Sequence, residues 1–134
     1  MEPQHFVGKI CQKAIIEHDG WIFVSKGVGD SVWEFPGGRL DVTESAKDGL
    51  EREIEEELGL KIARGPAIYA DRYVQQREKD MPHFILFYLC TITGGELRPD
   101  EKEIQEYRWV TKAELKDIPM YDDCRAAADV FVKD

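Results

Sequence analysis

The chain has 134 residues, 43% of them apolar and 34% charged, and 27 acids against 18 bases leave a net charge of −9. That balance argues against a nucleic-acid polymer as partner, because a polyphosphate backbone wants a basic surface. No apolar run approaches the roughly 20 residues that span a bilayer, so no membrane partner is expected, and the length suits one domain, 1–134, with a core large enough to need no staple.

The N-terminus, MEPQHFVGKICQKAII, lacks a basic stretch followed by a long apolar one, so no signal peptide is expected. The three cysteines, Cys11, Cys90 and Cys124, form no CxxC pair and no Cys/His zinc pattern. They read as buried, reduced thiols of a cytoplasmic protein. ICQKAIIEHDGWIFVSK reads as two strands around a turn at His18-Asp19-Gly20. GVGDSVWEF reads as a loop leading into a short strand, and PGG at 36–38 as a turn. A helix is expected next, with Thr43 as N-cap, Glu44 in its first turn and Gly59 as the glycine that ends it.

KIARGPAIYADRYVQQ has strand character with a break at Gly65-Pro66. HFILFYLCTI is almost continuously apolar and β-rich, which marks a central strand. TGGEL reads as a turn, and EIQEYRWV predicts a short strand at 107–110. Thr111 and Glu114 have the spacing of a capping box for a short helix, KAEL, and DDCRAAADVFVK after Pro119 predicts an amphipathic C-terminal helix. The fold class is α/β (α+β): a sheet sandwiched with helices.

The densest chemistry lies in REIEEEL, residues 52–58. At about 100° per residue, Leu50, Ile54 and Leu58 form one apolar stripe. Glu53, Glu56 and Glu57 stand at i, i+3 and i+4 and converge on one patch beside that stripe. Glu51 and Glu55 point toward solvent. A carboxylate cluster at the edge of a core is costly unless a cation sits there, and hard divalent cations with oxygen ligands meet that need. An acidic helix that only aids solubility is the competing reading of these seven residues.

The wider stretch from Gly38 reads GRLDVTESAKDGLEREIEEELGL. It resembles the Nudix box, GX5EX7REUXEEXGU with U aliphatic, and matches at every defined position; WEFPGG ahead of it resembles the usual lead-in. The resemblance implies a Nudix fold, a mixed sheet between helices, and hydrolysis of a nucleoside diphosphate linked to another group. It implies that Glu53, Glu56 and Glu57 ligate Mg²⁺ or Mn²⁺, with the Gly38 carbonyl as a further ligand. Arg52 would hold a catalytic glutamate and Glu44 would support the loop. The general base is Glu53 or another box glutamate, or a distant loop glutamate. For the latter Glu103, six residues before Trp109, lies where the family often places a further ligand or base, with Glu101 and Glu106 as rivals.

Second signatures of several Nudix subfamilies are missing. No SQPWPFPxS array is present, Gln75 stands where many ADP-ribose hydrolases have proline, and Tyr73 is out of register with the tyrosine of diadenosine polyphosphate hydrolases. By elimination the default is a MutT-like nucleoside triphosphate pyrophosphatase, with dinucleoside polyphosphates, nucleotide sugars and ADP-ribose as alternatives. Phe35, Tyr73 and His83 are candidates for stacking on a base, with Phe87 more simply core. Arg72, Arg77 and Lys79 are candidates for phosphate contacts, followed by Lys9 and Lys26. A homodimer is possible, and no sequence feature decides it.

Overall fold

The computed structural model describes residues 2–74 and 81–133. Two of its strands open the chain, β1 (Lys9–His18) and β2 (Trp21–Gly27), joined by Asp19-Gly20, both at positive φ. That pair of left-handed residues is what a tight two-residue hairpin demands. Next come β3 (Gly37–Arg39), helix α1 (Ala46–Leu58), and the long strands β4 (Leu60–Tyr73) and β5 (His83–Gly95). β6 (Ile104–Val110), the short helix α2 (Lys112–Leu115) and helix α3 (Asp122–Lys133) complete the order.

The sheet runs β4-β5-β1-β2-β6, with β3 paired to β1. β1 and β5 are parallel and the other pairs antiparallel, so the sheet is mixed. Side chains alternate between two cores, as period-two strands must. Cys11, Ile15, Ile22, Val24, Ile85 and Phe87 join Ala127, Ala128 and Phe131 of α3 on one face. Ala14, Ile16, Phe23 and Cys90 join Leu50, Ile54 and Leu58 of α1 on the other. The sheet therefore lies between α1 and the C-terminal helices. Each leucine or isoleucine of the α1 stripe is essentially fully buried, worth about 1.5–3 kcal/mol apiece.

Several boundaries differ from those read in the sequence, each for a local reason. Gly37 and Gly38 extend β3 rather than turning, because a Cβ on Gly37 would lie 1.9 Å from the Gln12 carbonyl oxygen; only glycine lets the strands approach so closely. Thr43 is not the N-cap. Its amide and hydroxyl both donate to Asp41 Oδ1, at 2.8 and 2.7 Å, and Ser45 caps the helix instead by accepting from the Asp48 amide at 3.1 Å. Glu44 therefore precedes the helix. Gly94 and Gly95 belong to β5, and β6 begins at Ile104 rather than 107. The break at Gly65-Pro66 is a slip in register between Arg64 and Ala67 within one strand. The residues before β3 make isolated bridges, Ser25 with Glu34 and Trp33 with Met120. Gly59 at φ 75° ends α1, the Thr111–Glu114 capping box is formed, and all three cysteines are buried and unbridged. Among the described residues no helix is long and apolar enough to cross a membrane.

Candidate active site

Helix α1 is fixed at both ends. At its start, buried Gln12 of β1 donates from Nε2 to the Ala46 carbonyl at 2.8 Å. At its end, the amides of Arg98 and Asp100 donate to the carbonyls of Leu58 and Glu57 at 2.6 and 2.8 Å. Those carbonyls lack intrahelical partners, so the segment after β5 is stitched to the last turn. The same segment continues to Glu103, whose amide donates to the Asp100 carbonyl at 3.0 Å.

Between these anchors Arg52 gathers three glutamates. Its Nε lies 2.9 and 3.1 Å from the two oxygens of Glu44, its Nη2 2.6 Å from Glu44 Oε1 and 3.3 Å from Glu53 Oε1, and its Nη1 2.9 Å from Glu56 Oε2. A planar guanidinium suits this, since its donors form a rigid fork. The Glu53 carboxylate also lies against Gly38, where a Cβ would come within 2.7 Å of its Cδ. The glycine thus makes room for the carboxylate.

Glu57 lies apart from Arg52. Its carboxyl is pushed up to about 7, first by burial and then by the charges of Glu53, Glu103 and Glu34, with Lys13 pulling the other way. Glu53, Glu103 and Glu34 therefore share one electrostatic neighbourhood with Glu57. Glu56 is exposed and held by Arg52. Among the described residues no three His, Cys, Asp or Glu side chains gather closely enough to form a ready metal cage. The donor set is all oxygen and rich in negative charge, which fits a hard divalent cation. Glu51 does not point to solvent: it accepts from the Arg64 amide at 3.0 Å and pairs with Lys47 at 3.2 Å.

A cavity of about 450 Å³ is lined among others by Lys13, Asp30, Glu34, Tyr73, Asp122 and Asp123, and none of the α1 glutamates is among its described lining residues. Lys13 comes from β1 and is largely buried, its Nζ 3.4 Å from Glu34 Oε1. Burial alone would favour the neutral amine, but the carboxylates of Glu34 and Asp123 outweigh it and hold the ammonium charged well above the usual lysine range. Lys13 thus stands where the field of the cavity meets that of Glu57.

The candidate substrate residues divide. Tyr73 lines the cavity, and its hydroxyl is 2.8 Å from that of Tyr69. Phe35 does not offer a stacking face: it is wholly buried, edge-on to Phe87 at 6.1 Å between ring centroids, and both rings belong to the core. His83, 1% exposed at the start of β5, is likewise interior. Arg72 points outward beside Asp71 at 3.7 Å. Lys26 lies over the Trp33 ring and near Glu106. Arg77 and Lys79 fall outside the described residues. Lys13, Glu34, Asp122 and Asp123 were not picked out from the sequence. For Lys13 a signal existed, a lone lysine inside the apolar strand ICQKAII, since a charge there needs a partner.

A family model described as the NUDIX domain matches residues 16–129. The chain belongs to the NUDIX domain family. An 8-oxo-dGTP diphosphatase of Buchnera aphidicola subsp. Schizaphis graminum is 34% identical over 85 residues, 63% of this chain and 60% of that protein. Nucleoside triphosphatase NudI of Escherichia coli O9:H4 is 28% identical over 114 residues, 75% of this chain and 80% of that one. The NUDIX fold here matches the crystal structure of a MutT NUDIX hydrolase from Burkholderia pseudomallei with a TM-score of 0.80 and 24% identity, covering 93% of this chain and 98% of that one. This NUDIX chain spans 53 to 60% of the length of the curated relatives from Bacillus subtilis and Buchnera that it matches.

Proposed function

We propose that this chain is a divalent-metal-dependent pyrophosphohydrolase that cleaves a nucleoside triphosphate to its monophosphate and pyrophosphate. The carrying observation is the gathering of Glu44, Glu53 and Glu56 on Arg52, all within 3.3 Å, with Glu53 packed against Gly38; Lys13, whose charge also acts on Glu57, lines a cavity of about 450 Å³. In this assignment the nucleoside occupies that cavity and its phosphates reach toward α1. The names of two relatives, an 8-oxo-dGTP diphosphatase and a nucleoside triphosphatase, support the same reading. The partner is then a small nucleotide in the cytoplasm, neither a nucleic-acid polymer nor a membrane.

Glu53, Glu56, Glu57 and Glu103, with the Gly38 carbonyl, are the residues that would hold Mg²⁺ or Mn²⁺. Such a cation, when bound, neutralises phosphate charge and acidifies water. The protein's own groups do the rest. Glu53 or Glu103 takes the proton from the attacking water. Water oxygen bonds to phosphorus, the bridging P–O bond breaks, and pyrophosphate leaves. Arg52 keeps Glu53 and Glu56 oriented, while Lys13 offers an ammonium to the phosphate end of the ligand. Tyr73 contributes a face of the cavity.

The test is a panel of canonical and oxidised (d)NTPs, ADP-ribose, nucleotide sugars, diadenosine polyphosphates and NADH with Mg²⁺ or Mn²⁺, products separated by ion-pair chromatography. Monophosphate plus pyrophosphate from a triphosphate is the expected result. Solved neighbours described as a UDP-X diphosphatase and an ADP-ribose pyrophosphatase supply the second reading. Turnover restricted to a sugar-linked or dinucleoside substrate would favour it. No turnover with metal bound would sink both and leave a binding module.

A further inference from the structure

The connection from β5 to β6 carries Glu103, and Asp100 in that connection is hydrogen-bonded through its amide, its carbonyl and its side chain. Its amide donates to the Glu57 carbonyl at 2.8 Å. Its carbonyl accepts from the amides of Glu103 and Ile104 at 3.0 and 2.8 Å. Its Oδ1 accepts from the Lys102 amide at 3.0 Å. The first bond ties the connection to the last turn of α1. The others fold residues 100–104 into a tight turn. An aspartate that takes the backbone amide two residues on shapes such a turn by itself.

Contacts on either side of the turn restrict the same segment. Ahead of it, the Arg98 amide donates to the Leu58 carbonyl at 2.6 Å, and a Cβ on Gly59 would lie 2.4 Å from the Glu96 carbonyl oxygen. The chain therefore runs close against the end of α1 until Asp100. Beyond the turn, Gln105 Oε1 accepts from the Gly29 amide at 3.1 Å. Glu103 itself is exposed while Asp100 is half-buried. Packing does not place Glu103; the turn beneath it does. The charge of Glu103 is felt at Glu57, in keeping with a turn fastened to the Glu57 backbone.

We propose that Asp100 is a positioning residue, its carboxylate shaping the turn that holds Glu103 at the end of α1 beside Glu57. The role rests on the assignment of Glu103 as a metal ligand or general base, and Asp100 acts through Glu103 alone. The backbone bonds at position 100 are open to other residues. Only the bond from the Lys102 amide belongs to the side chain. What the position needs is therefore an acceptor oxygen at Oδ1, not a negative charge. Asparagine supplies that oxygen and alanine does not.

A double-mutant cycle on the full chain tests this, read in the Kd for Mn²⁺ alone by titration calorimetry and in kcat for a triphosphate. Glu103→Gln is expected to impair at least one of the two. Asp100→Ala should impair the same one, by about tenfold, the scale of losing a group that orients a ligating side chain. The double variant should be no worse than Glu103→Gln alone, because a residue that acts only through Glu103 has nothing left to position. Asp100→Asn should stay at the parental value. If Glu103→Gln is impaired while Asp100→Ala is parental, or if the two losses multiply, the assignment of Asp100 is overturned and that of Glu103 stands. Asp100→Asn as weak as Asp100→Ala also overturns it, since the charge and not the turn would then matter. If Glu103→Gln is parental in both readouts, the role of Glu103 falls and that of Asp100 with it.

Discussion

Arg52 and Lys13 are both cations set among carboxylates, and they are held in opposite ways. Arg52 sits on a part-exposed helix face, and its acids come from one continuous stretch, Glu44, Glu53 and Glu56, all within 3.3 Å. Lys13 is largely buried, and the acids around it come from scattered segments: Glu34 before β3, Glu57 on α1, Asp123 on α3. Its one short ion pair among the described residues is 3.4 Å; the other acids act through the field. The guanidinium fork meets three carboxylates from one plane, which suits a frame. The ammonium is a point charge that keeps its charge yet has donors to spare. A frame has to stay put while a ligand comes and goes, and a ligand contact has to be exchangeable. The two sites have the chemistry for those separate tasks.

The largest expected break is at the acid that neither cation holds closely. Glu57→Gln should lower kcat/KM under saturating Mg²⁺ by on the order of 10²–10³-fold, the scale of losing a group that organises transition-state charge. The thermal midpoint of the metal-free protein should hold or rise, because glutamine removes a part-buried charge facing Glu53, Glu103 and Glu34. Activity within a few-fold of the parent would show that Glu57 is no part of the site; a fall of several degrees would make it structural. Arg52→Lys comes next, at about 10–100-fold in kcat, typical of losing a group that orients a ligating side chain. An ammonium cannot reproduce three contacts from one plane. KM should change little, and a variant with parental kcat would remove Arg52 from the frame.

The same contrast decides what was legible in the chain. The Arg52 cluster is only partly local: helix spacing brings Glu53 and Glu56 to Arg52, but Glu44 joins them from before the helix and Glu57, expected in the same patch, lies apart. The alternation of β1, β2 and β5 between two cores, and the bounds of α3, are local patterns. Legibility failed where two local choices compete or where a distant strand decides. Ser45 and Thr43 are both good caps, and only Asp41, by taking both donors of Thr43, settles the start of α1. PGG reads as a turn until the backbone of Gln12 arrives beside Gly37. Phe35 and Tyr73 look alike as stacking candidates, yet the fold buries one and sets the other in the cavity wall. The cavity itself joins β1, the segment before β3, β4 and α3, and no spacing rule brings those together.

Lys13→Met should raise KM for a triphosphate by about tenfold, the worth of one charge-assisted contact, and leave kcat within a few-fold. A loss confined to kcat would move Lys13 from ligand contact to the catalytic frame. The smallest and most discriminating change is Glu34→Gln. Glu34 holds Lys13 at 3.4 Å and also adds to the charge that burdens Glu57. If the glutamate competes with phosphate for the ammonium, neutralising it frees Lys13 and lowers KM, by about two- to threefold for so long an ion pair. If Glu34 instead touches the ligand or its cation, the same substitution raises KM. The direction of that small shift, measured beside the larger loss in Lys13→Met, separates an exchangeable contact from a second fixed frame.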